Sequence, residues 1–471
     1  MPSLFYGINL ALRAVLSHQQ AIEVTQHNVA NANTPGYRRQ QAVLVAGLPY
    51  APPTLMRELA AGQMGGGVRV DRIQRFNLEF FDGRYRRELA EATRWQAERD
   101  VLQQVESTLA ESTPDGLLPK LDEFWAGWQA LSADPTNTAL RGDLRERSSA
   151  LAQALNRRAG ALAALRVDQD LAIRQRVDEI NAAASQIARL NVEIARVLGV
   201  GDQPNDLMDE RDRMLDKLAT LAGAESHLQP NGEAIVSING HALVVGRTTF
   251  QVSAVPDAAN ANLARLVWQD GQAFSAPRGE LKGLFDARDR VIPDQQNGLD
   301  SFAATLINQV NALHRAGFGL NGATNLDFFA GTDALSMRLD AAITDPVNGI
   351  VNIATAAAAG NPGDGNVARQ IFDLQQALLM NGGTATLNQF YTAQVGRLGL
   401  EGRSATAAAE DRGLVAESLD RQRESIGGVS LDEEAANLVQ SQRAYEAAAR
   451  MMTTIDEMID RVINGMGRVG L

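Results

Sequence analysis

Residues 428–463 read GVSLDEEAANLVQSQRAYEAAARMMTTIDEMIDRVI, and their spacing decides the fold. Leu431, Leu438, Tyr445, Met452, Ile459 and Met466 recur every seven residues, with Ala435, Ala448, Ala449, Ile455, Val462 and Ile463 in the accompanying positions. This is the pattern of a helix that packs on another helix through one narrow stripe. Its start is readable. After Gly427 and Gly428, Ser430 and Glu433 form an S-x-x-E capping box, and Asp432 and Glu434 put negative charge where the helix dipole favours it. The other end of the chain repeats the device: from residue 3 to about residue 33, Ile8, Val15, Ile22 and Val29 are spaced by seven, with Leu4, Leu12 and Ala11 on the same side. Both ends should form long helices, and the two stripes suit either a pair within one chain or contacts between chains.

Working inward, Thr34-Pro35-Gly36 reads as a turn with Pro and Gly in its two central positions. Short extended pieces at 43–45 and 68–73 follow, around a Gly65-Gly66-Gly67 break. Helical patterning holds from about 76 to 221, punctuated at Thr113-Pro114, at Asp134-Pro135 and across 199–205, where Asn205 can cap the next helix. From 224 to about 268 the period falls to two, with Asn231-Gly232 and Asn239-Gly240 as hairpin turns around AIVSI and ALVV. Helix returns at 281–315, 366–380 and 384–426. The chain is therefore expected to be mainly α with an inserted β domain. Residues 1–35 with 430–471 give terminal coiled-coil helices, and 36–75 an irregular connecting segment. Residues 76–222 with 283–429 give a long antiparallel helical-bundle domain, and 223–282 a small outer β domain.

Composition agrees with helix. Hydrophobic residues make up 45% of the 471 but aromatics only 5%, and Ala runs through nearly every segment, which favours long helices on narrow seams over a large aromatic core. A formal charge of -12 argues against nucleic acid and anionic lipid as partners. The absence of cysteine excludes disulfides, thiolate metal sites, iron–sulfur clusters and a cysteine nucleophile. No stretch approaches the ~18 apolar residues that a membrane helix needs, and the N-terminal residues lack a basic leader, so neither membrane insertion nor a cleavable secretion signal is expected.

A search for chemistry returns little. Gly317, Gly319 and Gly322 spell G-x-G-x-x-G, but dinucleotide binding needs a strand before the motif and a helix directly after it, whereas here a helix precedes. The pattern reads as a helix stop and a loop. His18, His27, His227, His241 and His314 form no H-E-x-x-H, and no G-x-S-x-G elbow is present. The carboxylates at Asp206, Asp209, Glu210 and Asp212, and at Asp432, Glu433 and Glu434, open helices, where dipole complementarity and solvation account for them. No catalytic, cofactor or metal residue is expected, and the protein should not be an enzyme.

Residues 30–40, ANANTPGYRRQ, resemble the signature shared by the axial proteins of the bacterial flagellum, namely the rod, hook and hook-associated proteins. Asn31, Asn33, Thr34, Pro35, Gly36 and Tyr37 carry the match: asparagines that can satisfy backbone as the helix ends, then the turn that redirects the chain. Three further stretches are similar to one branch, the hook-associated protein 1 family of hook–filament junction proteins. They are NDLMDERDRMLDKL at 205–218, VNALHRAGFGLNG at 310–322, and the closing helix quoted above. A hook or distal rod protein should lack the first two. The β region at 223–282 carries no family motif, and the chain is short for the family, so one outer domain should be reduced or missing.

The resemblance implies a structural protein whose terminal helices pair as an inner tube, with a helical domain outside them and β domains projecting outward. It implies a homo-oligomer ring joining hook to filament, with the hook protein and a second junction protein (hook-associated protein 3) as partners. It also implies type III export with a cytoplasmic export chaperone, and an extracellular place in the flagellum after a transient cytoplasmic stage. The self-assembly seam would then be Ile8, Val15, Ile22 and Val29 with Leu431, Leu438, Tyr445, Met452 and Ile459. The alternatives are a hook or distal rod structural protein, or a surface-binding module on a flagellar scaffold.

Overall fold

The computed structural model describes residues 4–48, 65–109 and 116–465. In chain order its elements are α1 (Leu4–Asn31), β1 (Gln40–Ala46), β2 (Val68–Arg75), α2 (Glu79–Leu109), α3 (Leu117–Ala133), α4 (Thr138–Gly199) and α5 (Asn205–Ala222). Then come β3 (Glu225–Leu228), β4 (Ala234–Ile238), β5 (His241–Val245), β6 (Thr248–Thr249), β7 (Val252–Asp257) and β8 (Leu263–Trp268). The rest are α6 (Glu280–Asp286), α7 (Ile292–Ala316), β9 (Phe329–Ala330), β10 (Arg338–Leu339), α8 (Ala341–Thr344), α9 (Asn366–Asp373), α10 (Leu387–Gly427) and α11 (Leu431–Gly465). Helix dominates, as the composition requires. The expected helix start at residue 3, Thr113-Pro114 and Met466 lie outside the described residues.

Two compact units share the chain: Met1–Leu89, Ile180–Gln251 and Gly413–Leu471 form the first, Ala90–Glu179 and Val252–Arg412 the second. In the first, the described part of 36–75 is regular rather than irregular. β1 and β2 form an antiparallel ribbon from Gln40↔Arg75 to Ala46↔Val68, bulged between Val43 and Leu44. The ribbon lies on α1, where the Ser17 hydroxyl donates to the Val68 carbonyl (3.2 Å). A meander of β3, β4, β5 and β6 completes the unit. Asn239 (φ 49°) and Gly240 (φ 83°) turn β4 into β5, the left-handed pair that a type I′ hairpin demands. Asn191 on α4 ties the sheet down, since its amide donates to the Ala234 and Gly246 carbonyls and its oxygen accepts from Ala234 N–H. The single β domain expected at 223–282 is instead two sheets, β3–β6 in this unit and β7–β8 in the other.

The second unit holds the largest apolar core. The chain has few aromatics, but they are concentrated here, contrary to a core of narrow seams alone. Phe124, Trp125 and Trp128 of α3 are buried with Phe328 and Phe329, ring centroids 4.8 Å apart for Phe124–Trp125 and 5.1 Å for Trp128–Phe328. A π turn at Ala287–Val291 joins α6 to α7. It carries buried Arg288, which donates to Asp170 (2.6 Å) and to the Ala264 carbonyl (2.7 Å). Gly317, Gly319 and Gly322 form the stop and loop after α7: Phe318 N–H bonds the Ala356 carbonyl (2.9 Å), and a Cβ on Gly319 would stand 2.5 Å from the Val351 carbonyl oxygen.

His314, near the end of α7, is a satisfied core histidine. Its Nδ1–H donates to the Leu326 carbonyl (2.7 Å) and its Nε2 accepts from Ala354 N–H (2.9 Å). Burial pushes its pKa down to about 4. The unfolded chain takes up this proton below about 6.5 and the folded chain refuses it, so stability is complete above that pH and is lost as pH falls towards 4, by up to about 3 kcal/mol. All four tryptophans, Trp95, Trp125, Trp128 and Trp268, belong to this unit, so their fluorescence reports it alone. Denaturant titrations at pH 7 and pH 4.5 should show this loss in the wild type and a smaller one in His314→Gln; equal losses would reject the assignment.

Candidate assembly site

α1 and α11 pack antiparallel, and contacts near both ends set their register. A Cβ on Gly7 would stand 3.0 Å from Ile455 Cδ1, and Asn28 Nδ2 donates to Glu434 Oε2 (2.9 Å). Twenty-one residues separate these contacts on each helix, so the register is continuous. Midway, His18, Ala21 and Thr25 line one small cavity with Asn437, Ser441 and Ala444. This face of α1 therefore carries Gly7, His18, Ala21, Thr25 and Asn28, and buried Ala11, four residues after Gly7, shares it by helical spacing. Across from Gly7 stands the large Ile455, the other partners named are small or polar, and Ala11 and Ala448 are buried.

The large apolar residues of the sequence stripes interleave with these positions: Val15 stands four residues after Ala11 and three before His18, and Met452 three before Ile455. Ile8, Val15 and Ile22 are half-buried, as are Leu438, Tyr445, Met452 and Ile459, while Val29 (44% exposed) and Leu431 (54%) face solvent.

At the Asn28–Glu434 end, the turn motif docks. Tyr37 N–H bonds the Thr34 carbonyl (3.1 Å) across Pro35 and Gly36. Gly36 has φ 78°, and a Cβ there would lie 2.6 Å from Arg213 Cγ, so conformation and space both demand glycine. Asn31 donates to the His27 carbonyl (3.0 Å) and accepts from the Thr34 hydroxyl (3.2 Å), whereas Asn33 is exposed. Buried Asn28 is the hub: its amide donates to Gln40 O (2.8 Å) and to Glu434, and its oxygen accepts from Tyr37 OH (2.8 Å) and Gln40 N–H (3.0 Å). Burial raises the Tyr37 phenol well above its ordinary value, with Asp206, Asp209 and Glu434 adding to the effect.

Beside the turn lies a buried ion-pair cluster that the sequence did not announce. Arg75 at the end of β2 donates to Asp209 (2.6 Å) and Asp212 (2.9 Å) of α5. Arg86 of α2 donates to Asp216 (2.6 Å), with Asp212 at 3.3 Å, and Arg423 of α10 donates to Asp216 (3.0 Å). Burial pushes Asp209 up to about 6. Burial also acts to raise Asp212, but Arg75, Arg86 and Arg211 hold it below the usual carboxylate range. The solvated reading of these helix-opening acids is thus corrected: Asp209 and Glu434 are buried and paired, and Asp212, half-buried, is paired as well. Asn205 does not cap α5; its amide donates to Gln40 Oε1 (3.1 Å) and the Ile73 carbonyl (3.0 Å). Of the expected capping box, Ser430 Oγ accepts from Glu433 N–H at 3.5 Å, while the Glu433 side chain accepts from Arg39.

A cleft of about 750 Å³ opens between the turn, Arg213 and the α10–α11 connection. No nucleophile stands beside a base in it. Among the described residues no group of His, Asp and Glu could hold a metal ion, and no helix is long and apolar enough to cross a membrane. The site holds helices together. The residues that sequence reasoning missed are Asn28, Arg38, Arg39, Arg75, Asp82, Arg86, Asp216 and Arg423. The available signal was the i, i+3, i+7 spacing of Asp209, Asp212 and Asp216, which puts three carboxylates on one face of α5.

Three family models match along the chain. Residues 8–38 match the flagella basal body rod protein, 102–329 the flagellar hook-associated protein FlgK helical domain, and 425–465 the flagellar basal body rod FlgEFG protein C-terminal. The chain is 29% identical to flagellar hook-associated protein 1 of Bacillus subtilis (strain 168), covering 99% of each. It is 26% identical to the protein of that name from Escherichia coli (strain K12), covering 97% of this chain and 99% of that one. The solved structure of the flagellar hook junction protein FlgK from Burkholderia pseudomallei shares the fold, with TM-score 0.63 and 15% identity over 73% of this chain and all of that one. The alignments span 506 and 552 positions, so these relatives carry segments with no counterpart among the 471 residues here. With rod-type matches at both ends, the helical-domain match between them and relatives of one name along the whole length, the chain belongs to the flagellar hook-associated protein 1 family, structural proteins of the flagellar axis and not enzymes.

Proposed function

We propose that this chain is the adaptor at the hook–filament junction, a ring of identical copies whose paired terminal helices line the inside. The observation that carries the reading is the apolar surface those helices leave in water: Phe5, Leu12, Leu16 and Val29 on α1, and Leu431, Met451, Met458 and Ile463 on α11 are all exposed. A helix pair that leaves such a surface in water is stabilised when neighbouring copies cover it. The hook protein and hook-associated protein 3 are then its neighbours along the axis. It reaches the hook tip by type III export, after a cytoplasmic stage with an export chaperone.

The test is electron microscopy of cells lacking the gene, with an assay for flagellin in the medium. Hooks without filaments and shed flagellin are expected; normal filaments would reject the reading. Complementation with Val29→Asp and Leu431→Asp together probes the outer surface, because both side chains are exposed and their loss should change folding stability by only about 0.5 kcal/mol each. The variant should be exported at the wild-type level yet leave at least tenfold fewer filamented hooks. Wild-type filamentation would remove this surface from the assembly.

A further inference from the structure

α10 and α11 are separated only by Gly428–Ser430, and two consecutive arginines of the turn motif sit across that break. Arg39 grips the α11 side: its Nε donates to Glu434 (2.7 Å) and its Nη1 to Glu433 (3.0 Å). Arg38 grips the other side, donating through Nη2 to Asp82 at the start of α2 (3.2 Å) and through Nη1 to the Arg423 carbonyl of α10 (3.2 Å). Their backbone closes the joint. Arg38 N–H donates to Asp209 of α5 (3.0 Å), and Arg39 N–H donates to the Gly427 carbonyl (2.8 Å), at the last residue of α10. The fit is tight, since a Cβ on Gly427 would stand 2.9 Å from both Arg38 Cδ and the Phe76 carbonyl oxygen. The side chains of Arg38, Asp82 and Glu434 are almost wholly buried, so these bonds are made away from water, where they hold geometry most firmly.

From this arrangement we infer that Arg38 and Arg39 form a lock across the α10–α11 break, fixing the direction in which the terminal helix pair leaves α2, α5 and α10. Resting on the adaptor reading, this makes the two arginines positioning residues for assembly. Each copy must present its helix pair at one angle to meet its neighbours, and a break of three residues without the lock allows many angles. Neither arginine lies on the outer apolar surface, so the lock and that surface are separable.

The test is complementation of the deletion strain by the full chain carrying Arg38→Gln, Arg39→Gln, or both, scored by filamented hooks and by exported protein in the medium. Each single variant should be exported normally and give at least tenfold fewer filamented hooks. The double variant should be no worse than the worse single, because one lock fails once. Glu434→Gln removes the buried charge that Arg39 grips and leaves the Arg39–Glu433 contact in place, so it should lose filamented hooks in the same direction as Arg39→Gln and to no greater extent. Arg39→Lys, which keeps charge but not the fork, should fall between. Wild-type filamentation in either single variant, or losses that multiply in the double, would overturn the lock. If the Val29→Asp, Leu431→Asp protein also assembled normally, the adaptor surface itself would fail; if it did not, only the lock would.

Discussion

Replacing Arg75 by Leu is expected to destabilise the first unit by about 3–5 kcal/mol at pH 7 while leaving the tryptophan-reported transition of the second unit in place. Arg75 is buried and is the direct partner of both Asp209 (2.6 Å) and Asp212 (2.9 Å). Leucine fills much of the space but leaves buried Asp209 with the Arg38 N–H and no cation, and Asp212 with Arg86 alone at 3.3 Å, and a buried charge without its cation costs more than a buried pair contributes. The pH dependence carries a sign. In the wild type the folded-state pKa of Asp209, about 6, lies above its unfolded value of about 3.9, so its contribution to stability falls as pH rises between those values. Without Arg75 Asp209 moves further up and Asp212 loses part of what holds it down, so the folded variant keeps protons that the unfolded chain releases. The deficit against wild type should therefore be smaller at pH 5 than at pH 7. Helicity followed through denaturant titrations at both pH values measures it, and a loss below 1 kcal/mol at pH 7 would show that the cluster is solvated.

Much of this structure follows from local rules that the chain states openly. The Pro35-Gly36 turn, the Asn239-Gly240 hairpin, the helix at 280–316 and the start of α11 each depend on a few adjacent residues, and each is where the local reading places it. The ion-pair cluster does not work that way. Asp209, Asp212 and Asp216 announce a charged face on α5, but whether that face meets water depends on Arg38, Arg75, Arg86 and Arg423, which arrive from distant parts of the chain. A low aromatic count likewise says nothing of whether the few rings gather in one place, as Phe124, Trp125, Trp128, Phe328 and Phe329 do. The terminal helices show the subtlest case. Heptad spacing marks the large apolar residues of both helices, yet Gly7, Ala11, Ala21 and Ala448, which also lie in the pair, have too little side chain to register as a hydrophobic stripe.

The change in burial from one residue of α1 to the next predicts the second large effect, a contrast between neighbours. Ala11 is 1% exposed and lies in the α1–α11 seam, whereas Leu12, the next residue, is 42% exposed on the outer side. Ala11→Asp puts a carboxylate into a space shaped for a methyl group. No seam residue within a turn offers it a cation, so the cost should reach several kcal/mol, enough to separate α1 from α11. Leu12→Asp should change the stability of the same pair by about 0.5 kcal/mol, because its side chain is largely in water already. Both variants should fail to assemble, the first because the pair is lost and the second because the surface that neighbouring copies cover is spoiled. Circular dichroism of the purified full chains separates the two: Ala11→Asp should lose helix equivalent to α1, and Leu12→Asp should keep it. If the two spectra agreed, the closing seam and the outer surface would not be distinct faces of α1.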